Sequence, residues 1–384
     1  PAMKRKKNIK KRILCIVSTM LLAFSVNAPI TVSAFQLPDA IKDYVDDYVD
    51  LGTDSDLEDI IQNVDISEEF SIIEQIIMDI MKSDWYKDTD IQSRKEKIAE
   101  LLAATGYIDK ETVEMGLDAI LNFEFHGQKI GVWLEDYAEN PYGQGGEDDY
   151  EQRDDITDGL SGDREAVILY GLGFPEFDDA LDYSTIKWNN NGLRTNKNDA
   201  CTVDNFKTDL NGKDLIVIEE HGCTYGDEPL IVTEDEYDPE SGEYQEDLDA
   251  ERLSILITDE GAQYCLTPSF FEYYYSGGKL ANSFVWIGSC YGASNSRLVD
   301  AFVNTGANAV VGHSDSVYTA YDYNMLNTVV DKMISGESSS EAFQEARDYW
   351  GQNDEQFAIR YMEVDTKEEA PASYPSLTGD IRWE

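Results

Sequence analysis

His221 and Cys290 are the two residues whose types and settings combine into nucleophilic chemistry. The run Asp214-Leu215-Ile216-Val217-Ile218 passes through Glu219 and Glu220 into His221-Gly222. The run Ser283-Phe284-Val285-Trp286-Ile287 passes into Gly288-Ser289-Cys290. A thiol becomes a strong nucleophile when a neighbouring imidazole takes its proton. Each run is short, apolar, rich in β-branched residues and bounded by glycine, the pattern of a strand buried on both faces in a parallel sheet. Ligands of open α/β sheets sit beyond the carboxyl ends of such strands. The pattern therefore predicts that His221 and Cys290, far apart in the chain, meet at one sheet edge as the minimum equipment of a cysteine hydrolase.

The elements that must hold this pair alternate between strand and helix from Arg164 onward. Val167–Gly171 reads as a strand and Val203–Leu210 as a short helix, followed by the strand leading to His221. An acidic insertion, Glu234–Glu251, precedes Leu253–Ile257, which reads as part of a small hairpin system. Pro268–Tyr275 predicts a helix with Thr267 as N-cap. After the Cys290 strand come a helix over Ser296–Asn304, a strand over Ala309–Gly312, and helices over Tyr321–Ile334 and Glu341–Trp350. Such alternation predicts an α/β fold, a mainly parallel sheet with helices on both faces.

Upstream, the reading changes. Lys4, Arg5, Lys6, Lys7, Lys10, Lys11 and Arg12 precede a mostly apolar Ile13–Val26 and the small residues Val32-Ser33-Ala34. That order predicts a secretory signal peptide over residues 1–34, too short in its apolar part for a stable membrane anchor. A secreted, extracellular protein is the expectation, with no lasting membrane insertion after cleavage. Residues 35–138 predict a small acidic helical domain, serving as a prosegment or docking domain if not simply as a packed core. Ile41, Tyr44, Val45 and Tyr48, then Ile72, Ile73, Ile76, Ile77 and Ile80, then Ile98, Leu101 and Leu102, then Val113, Leu117, Ile120 and Leu121 follow helical spacing. Residues 139–163, rich in Gly and Asp, read as a linker.

Composition narrows the partners. The 384 residues carry a formal net charge of −47, which excludes the basic face that nucleic-acid binding requires. Export places Cys201, Cys223, Cys265 and Cys290 in an oxidising setting. With Cys290 kept free as a nucleophile, at most one disulfide forms among the other three. Only His126, His221 and His313 occur, and no cysteine spacing matches a zinc site. No cofactor is expected. Calcium is the one metal that the acidic clusters leave open, but they lack the regular ligand spacing of a calcium loop and read as solvated loops.

A buried strand ending in His-Gly, followed by a buried strand ending in small-Ser-Cys, resembles the caspase–gingipain–legumain superfamily (clan CD) of cysteine peptidases. The likeness continues through Leu298-Val299-Asp300-Ala301-Phe302, Gly306-Ala307-Asn308-Ala309-Val310-Val311-Gly312 and Met333–Arg347 to Leu377-Thr378-Gly379-Asp380. This succession is similar to gingipain-like and CHAT-type members and covers residues 164–384. The resemblance implies a caspase-like catalytic domain there. It also implies catalysis by Cys290 and His221, and an oxyanion hole formed by the backbone N–H groups of Gly222 and Cys290. Glycine at 222 suits that task, because its backbone can approach a substrate closely. Glu219 or Glu220 would either orient the imidazole or serve as plain sheet-end carboxylates.

Specificity is less sharply drawn. Several members of the superfamily that cleave after Arg or Lys carry an acidic residue in the S1 pocket, in some just before the nucleophile. Here Gly288 and Ser289 occupy those positions. Asp315, in Gly312-His313-Ser314-Asp315-Ser316, follows the next strand and either selects a basic P1 side chain or closes a turn. His313 is expected on the pocket rim. The leading expectation is thus a secreted cysteine endopeptidase acting on protein or peptide substrates, with a basic P1 preference set by Asp315. The alternatives are a secreted binding protein on a peptidase-like fold without turnover, and a thiol acyltransferase.

Overall fold

The computed structural model describes residues 66–134, 150–362 and 372–383, apart from 88, 109, 117, 118, 154 and 155. The expected signal peptide over residues 1–34, the Ile41–Tyr48 stripe and most of the expected linker lie outside the described residues. Two compact units divide the chain. One comprises residues 1–137, 236–245 and 255–262, and the other comprises 138–235, 246–254 and 263–384. Two sheets with packed helices make the protein α/β.

In the first unit, α1 (Ile66–Met81) buries Phe70, Ile73, Ile77 and Ile80, one stripe at helical spacing. After the short α2 (Asp84–Lys87) comes α3 (Ile91–Thr105). There Asp90 accepts the Ser93 N–H at the start, and Gly106 at φ 72 closes the end in the left-handed region. The predicted helix through Val113 and Leu121 is not formed. The chain instead makes β1 (Glu114–Met115), β2 (Ile120–Phe125) and β3 (Gln128–Trp133), all antiparallel neighbours. The turn explains the difference: His126 and Gly127 both take positive φ, 50 and 80, which suits a two-residue hairpin turn. Phe123, Phe125, Ile130 and Val132 are then buried at period two. So the 35–138 segment is helical only in its described earlier part.

The second unit is built on a six-stranded sheet. In chain order its elements are β4 (Arg164–Tyr170), α4 (Pro175–Asn190), β5 (Leu193–Asn198), α5 (Val203–Thr208), β6 (Leu215–Glu219) and the hairpin β7 (Gly222–Tyr225) and β8 (Glu228–Glu236). Then follow α6 (Gln245–Asp249), β9 (Leu253–Ile257), whose Ile255–Ile257 belong to the first unit and pair parallel with β3, β10 (Ala262–Leu266), α7 (Pro268–Tyr274), β11 (Phe284–Ile287), α8 (Arg297–Asn304) and β12 (Ala309–His313). The chain closes with α9 (Thr319–Ile334), α10 (Ser339–Trp350), α11 (Asp354–Phe357) and β13 (Pro375–Gly379). The sheet order is β13-β12-β11-β6-β4-β5. All neighbours are parallel except the edge strand β13, which runs antiparallel to β12.

Alternation along these strands divides two packed faces. Ala166, Ile168, Leu215, Val217, Phe284, Trp286, Ala309 and Val311 join one core with α4, α9 and α10. The intervening Val167, Ile216, Val285 and Val310 are equally buried. Burial on both faces is why these strands read as continuous apolar runs. The end of the linker belongs to this core rather than to solvent. Tyr150 is buried, and its hydroxyl bonds Thr319 Oγ1 at 2.8 Å.

Candidate active site

Register brings the two sequence-predicted residues together. Strands β6 and β11 are adjacent and parallel, with Ile218 opposite Ile287. His221 and Cys290 each lie three residues beyond that rung. The Gly288 N–H donates to Ile218 O at 2.9 Å and extends the pairing past the strand end. A Cβ at Gly222 would fall 2.0 Å from Cys290 O, so the two loop backbones are in direct contact and only glycine fits. His221 O accepts the Val232 N–H, which ties the His loop to the β7–β8 hairpin. The Cys loop is tied to the end of β12 by Tyr291 N–H to Asp315 O and Ala293 N–H to His313 O. Tyr291, directly after the thiol, holds φ 60, a left-handed geometry that side chains usually avoid.

Both reactive groups rest in their neutral forms. Burial pushes the His221 imidazole down to about 4, and its ring meets Phe174 edge-on with centroids 6.1 Å apart. Burial pushes the Cys290 thiol up to about 11, against hydrogen bonds from the Val317 N–H and the Ser316 hydroxyl, with Asp354 and Asp322 adding to the rise. The Cys290 residue is half-buried, while Cys201, Cys223 and Cys265 are fully buried; all four are free cysteines. Glu220 Oε2 accepts the backbone N–H of His221 at 2.9 Å, and the Glu219 oxygens have no hydrogen-bond partner among the described residues. Burial pushes the Glu220 carboxyl up to about 8, partly offset by that His221 bond.

The other predicted site residues sit less openly than expected. His313 is fully buried, with Nε2 2.6 Å from Asp322 Oδ1, so it lies inside the domain and not on a rim. Aromatic and aliphatic rows pack around it because the row it ends is a core row. Ser289 is 1% exposed, and its Oγ has no partner. Gly288 lies under the Glu219 carboxyl: a Cβ there would meet Glu219 Oε2 at 2.0 Å. Asp315 is half-buried on the loop that abuts Tyr291. Its Oδ1 accepts the Ser316 N–H at 2.8 Å, and its carbonyl accepts Ser373 Oγ. Turn formation thus occupies one carboxylate oxygen, while the loop itself adjoins the Cys290 turn.

Sequence reading missed Ser316 and Val317 at the thiol, and Asp322 and Asp354 in its electrostatic surroundings. For Asp322 a signal existed: an acid inside the Tyr321–Ile334 helix beside Tyr, Met and Leu has no solvent face to occupy. Among the described residues, no group of three or more His, Cys, Asp or Glu side chains is placed to hold a metal. Among them too, no helix is long and apolar enough to cross a membrane. No protein-family model matches the chain, and no curated protein matches it either.

Proposed function

We propose that the protein is a secreted cysteine endopeptidase that cleaves peptide bonds through a Cys290 thioester with His221 as the acid–base partner. The observation that carries this reading is the register of β6 and β11, which sets His221 and Cys290 equally far past one rung with Gly222 packed on the Cys290 carbonyl. In the first step Cys290 Sγ attacks the scissile carbonyl carbon while its proton passes to the neutral imidazole. The N–H groups of Gly222 and Cys290 face the developing oxyanion. The C–N bond then breaks as His221 returns the proton to the leaving amine. Water, deprotonated by His221, attacks the thioester; the C–S bond breaks and the thiol is regenerated. The Asp315 loop beside the Cys290 turn supports a basic P1 preference on this reading.

A second reading, a binding protein without turnover on the same scaffold, draws support from the neutral resting state of both groups. One experiment separates them. The chain is incubated with Arg-, Lys-, Asn- and Asp-based acyloxymethyl ketones and weighed intact. A single adduct, absent in Cys290→Ala and fastest with Arg or Lys, is expected. Alkylation of Cys290 by iodoacetamide with no adduct from any of the four ketones would overturn the peptidase reading. Addition of amine nucleophiles to a peptide digest distinguishes acyl transfer from hydrolysis by its products.

A further inference from the structure

Three adjacent strands end in one polar row on the α9 side of the sheet. Val217 and Val311 both pair with Trp286, and two residues further on, at the same period, stand Glu219, Gly288 and His313. Above this row α9 supplies Asp322, 1% exposed. Asp322 Oδ1 accepts Trp286 Nε1–H at 2.9 Å and His313 Nε2 at 2.6 Å. Among the described residues, Asp322 Oδ2, both oxygens of the fully buried Glu219 and His313 Nδ1 have no hydrogen-bond partner. Asp322 is also the group whose charge, after burial, most raises the Glu219 carboxyl, which places the two carboxyl groups as neighbours. Two buried carboxylates cannot bond to each other without a proton, and an unpaired pair of like charges in such a site is prohibitively unfavourable. Asp322 Oδ1 already has two partners and Glu219 none, so the proton that the pair requires is assigned to Glu219.

We infer that Glu219 is a protonated positioning residue whose carboxyl group, donating to Asp322, fills the space over Gly288 and so seats the turn that carries Cys290 against the His221-Gly222 loop. Burial and the Asp322 charge act in the same direction, holding the Glu219 carboxyl well above the usual carboxylate range. The assignment also accounts for Gly288. The three atoms nearest to an added Cβ all belong to the Glu219 carboxyl, at 2.0, 2.5 and 2.7 Å. Glycine at that position is therefore a steric partner of Glu219, and a side chain there has no room to reach a substrate. Glu219 is two residues from His221 and Gly288 two from Cys290, so one buried carboxyl touches both loops at their roots. The catalytic consequence rests on the peptidase reading; the proton and the seat do not.

The test uses the full chain and needs no substrate. Infrared difference spectra at neutral pH, with Glu-specific carbon-13 labelling and in a Glu220→Gln background that removes the other buried, raised carboxyl, are expected to show the carbonyl band of a protonated, buried carboxylic acid and its loss when Glu219→Gln is added. Absence of that band in the Glu220→Gln background would overturn the assignment, whatever the other variants do. For the seat, the rate of Cys290 alkylation by iodoacetamide is read by peptide mass spectrometry. Glu219→Gln, which keeps a donor for Asp322, is expected to stay within about threefold of wild type, and Glu219→Leu to fall about tenfold. Val217→Ala, on the same face, controls for lost stability and should leave the rate unchanged. Gly288→Ala should lose reactivity, and Glu219→Ala in that background should restore it. A defect in Gly288→Ala that is the same with or without the Glu219 carboxyl would refute the seat. A chain that passes these tests but ignores every acyloxymethyl ketone retains the seat and loses the peptidase function.

Discussion

Alkylation of Cys290 should accelerate steadily with pH, without the plateau that marks a preformed thiolate–imidazolium pair. The perturbation is pH itself, from about pH 6 to about pH 10. The thiol is held near 11 by burial and by Asp354 and Asp322, and the imidazole near 4 by burial. Through that whole range the resting pair is therefore thiol plus neutral imidazole. At pH 8 a thiol of that acidity is ionised in roughly one molecule in a thousand, and each further unit multiplies the thiolate about tenfold. Iodoacetamide consumption at Cys290, followed by mass spectrometry of its peptide, should rise with a slope near one on logarithmic axes. His221→Gln should leave that slope in place, because a neutral imidazole gives no charge to stabilise the thiolate, yet it should abolish peptide turnover. The reasoning fails if the rate is flat between about pH 5 and pH 8, or if His221→Gln removes alkylation along with turnover. Either result would mean that the imidazole is charged beside a thiolate at rest.

Further outcomes follow from the same geometry. In Gly222→Ala the new Cβ begins 2.0 Å from Cys290 O, so the loops must part by more than 1 Å; peptide hydrolysis should fall about a hundredfold, while Gly162→Ala, with open space around it, should be silent. The depressed His221 basicity destabilises the fold in acid: the unfolded chain binds a proton near 6.5 and the folded chain only near 4, so stability is complete above that window and about 3 kcal/mol is lost as pH falls through it. Urea unfolding at both ends of the window, compared with His221→Leu, isolates this contribution from that of Glu220. The Glu220 contribution has the opposite sign: its folded value near 8 makes its stabilisation complete in acid and lost as pH rises. Lys187→Met should cost about 3–5 kcal/mol in the same assay, since Lys187 Nζ lies 2.6 Å from the buried Asp331 carboxylate; Lys187→Met with Asp331→Leu should recover part of it.

The strands that carry the candidate site were legible because burial on both faces leaves an unbroken apolar signature. Leu215–Ile218, Phe284–Ile287 and Ala309–Gly312 read as strands and are strands. Strand β5 and helix α4 escaped notice. Along Leu193–Asn198 only Leu193 and Thr195 are buried, as befits an edge strand with one covered face. The hairpin of β2 and β3 reads as helix in the sequence because Val113, Leu117, Ile120 and Leu121 fit a helical stripe by chance, while the decisive signal is the His126-Gly127 turn. Tertiary packing overrode the local period.

Composition and local pattern by themselves determined the α/β class and the strand-end placement of His221 and Cys290, because strand identity depends on short-range sequence. The register between β6 and β11, the neutral state of the pair, and the burial of His313 and Ser289 were decided only by the tertiary structure. The same holds for Gly288, whose meaning comes from a carboxyl group on another strand. Electrostatics and sterics at a sheet edge depend on which chains lie side by side and how much water they exclude, and neither quantity is local.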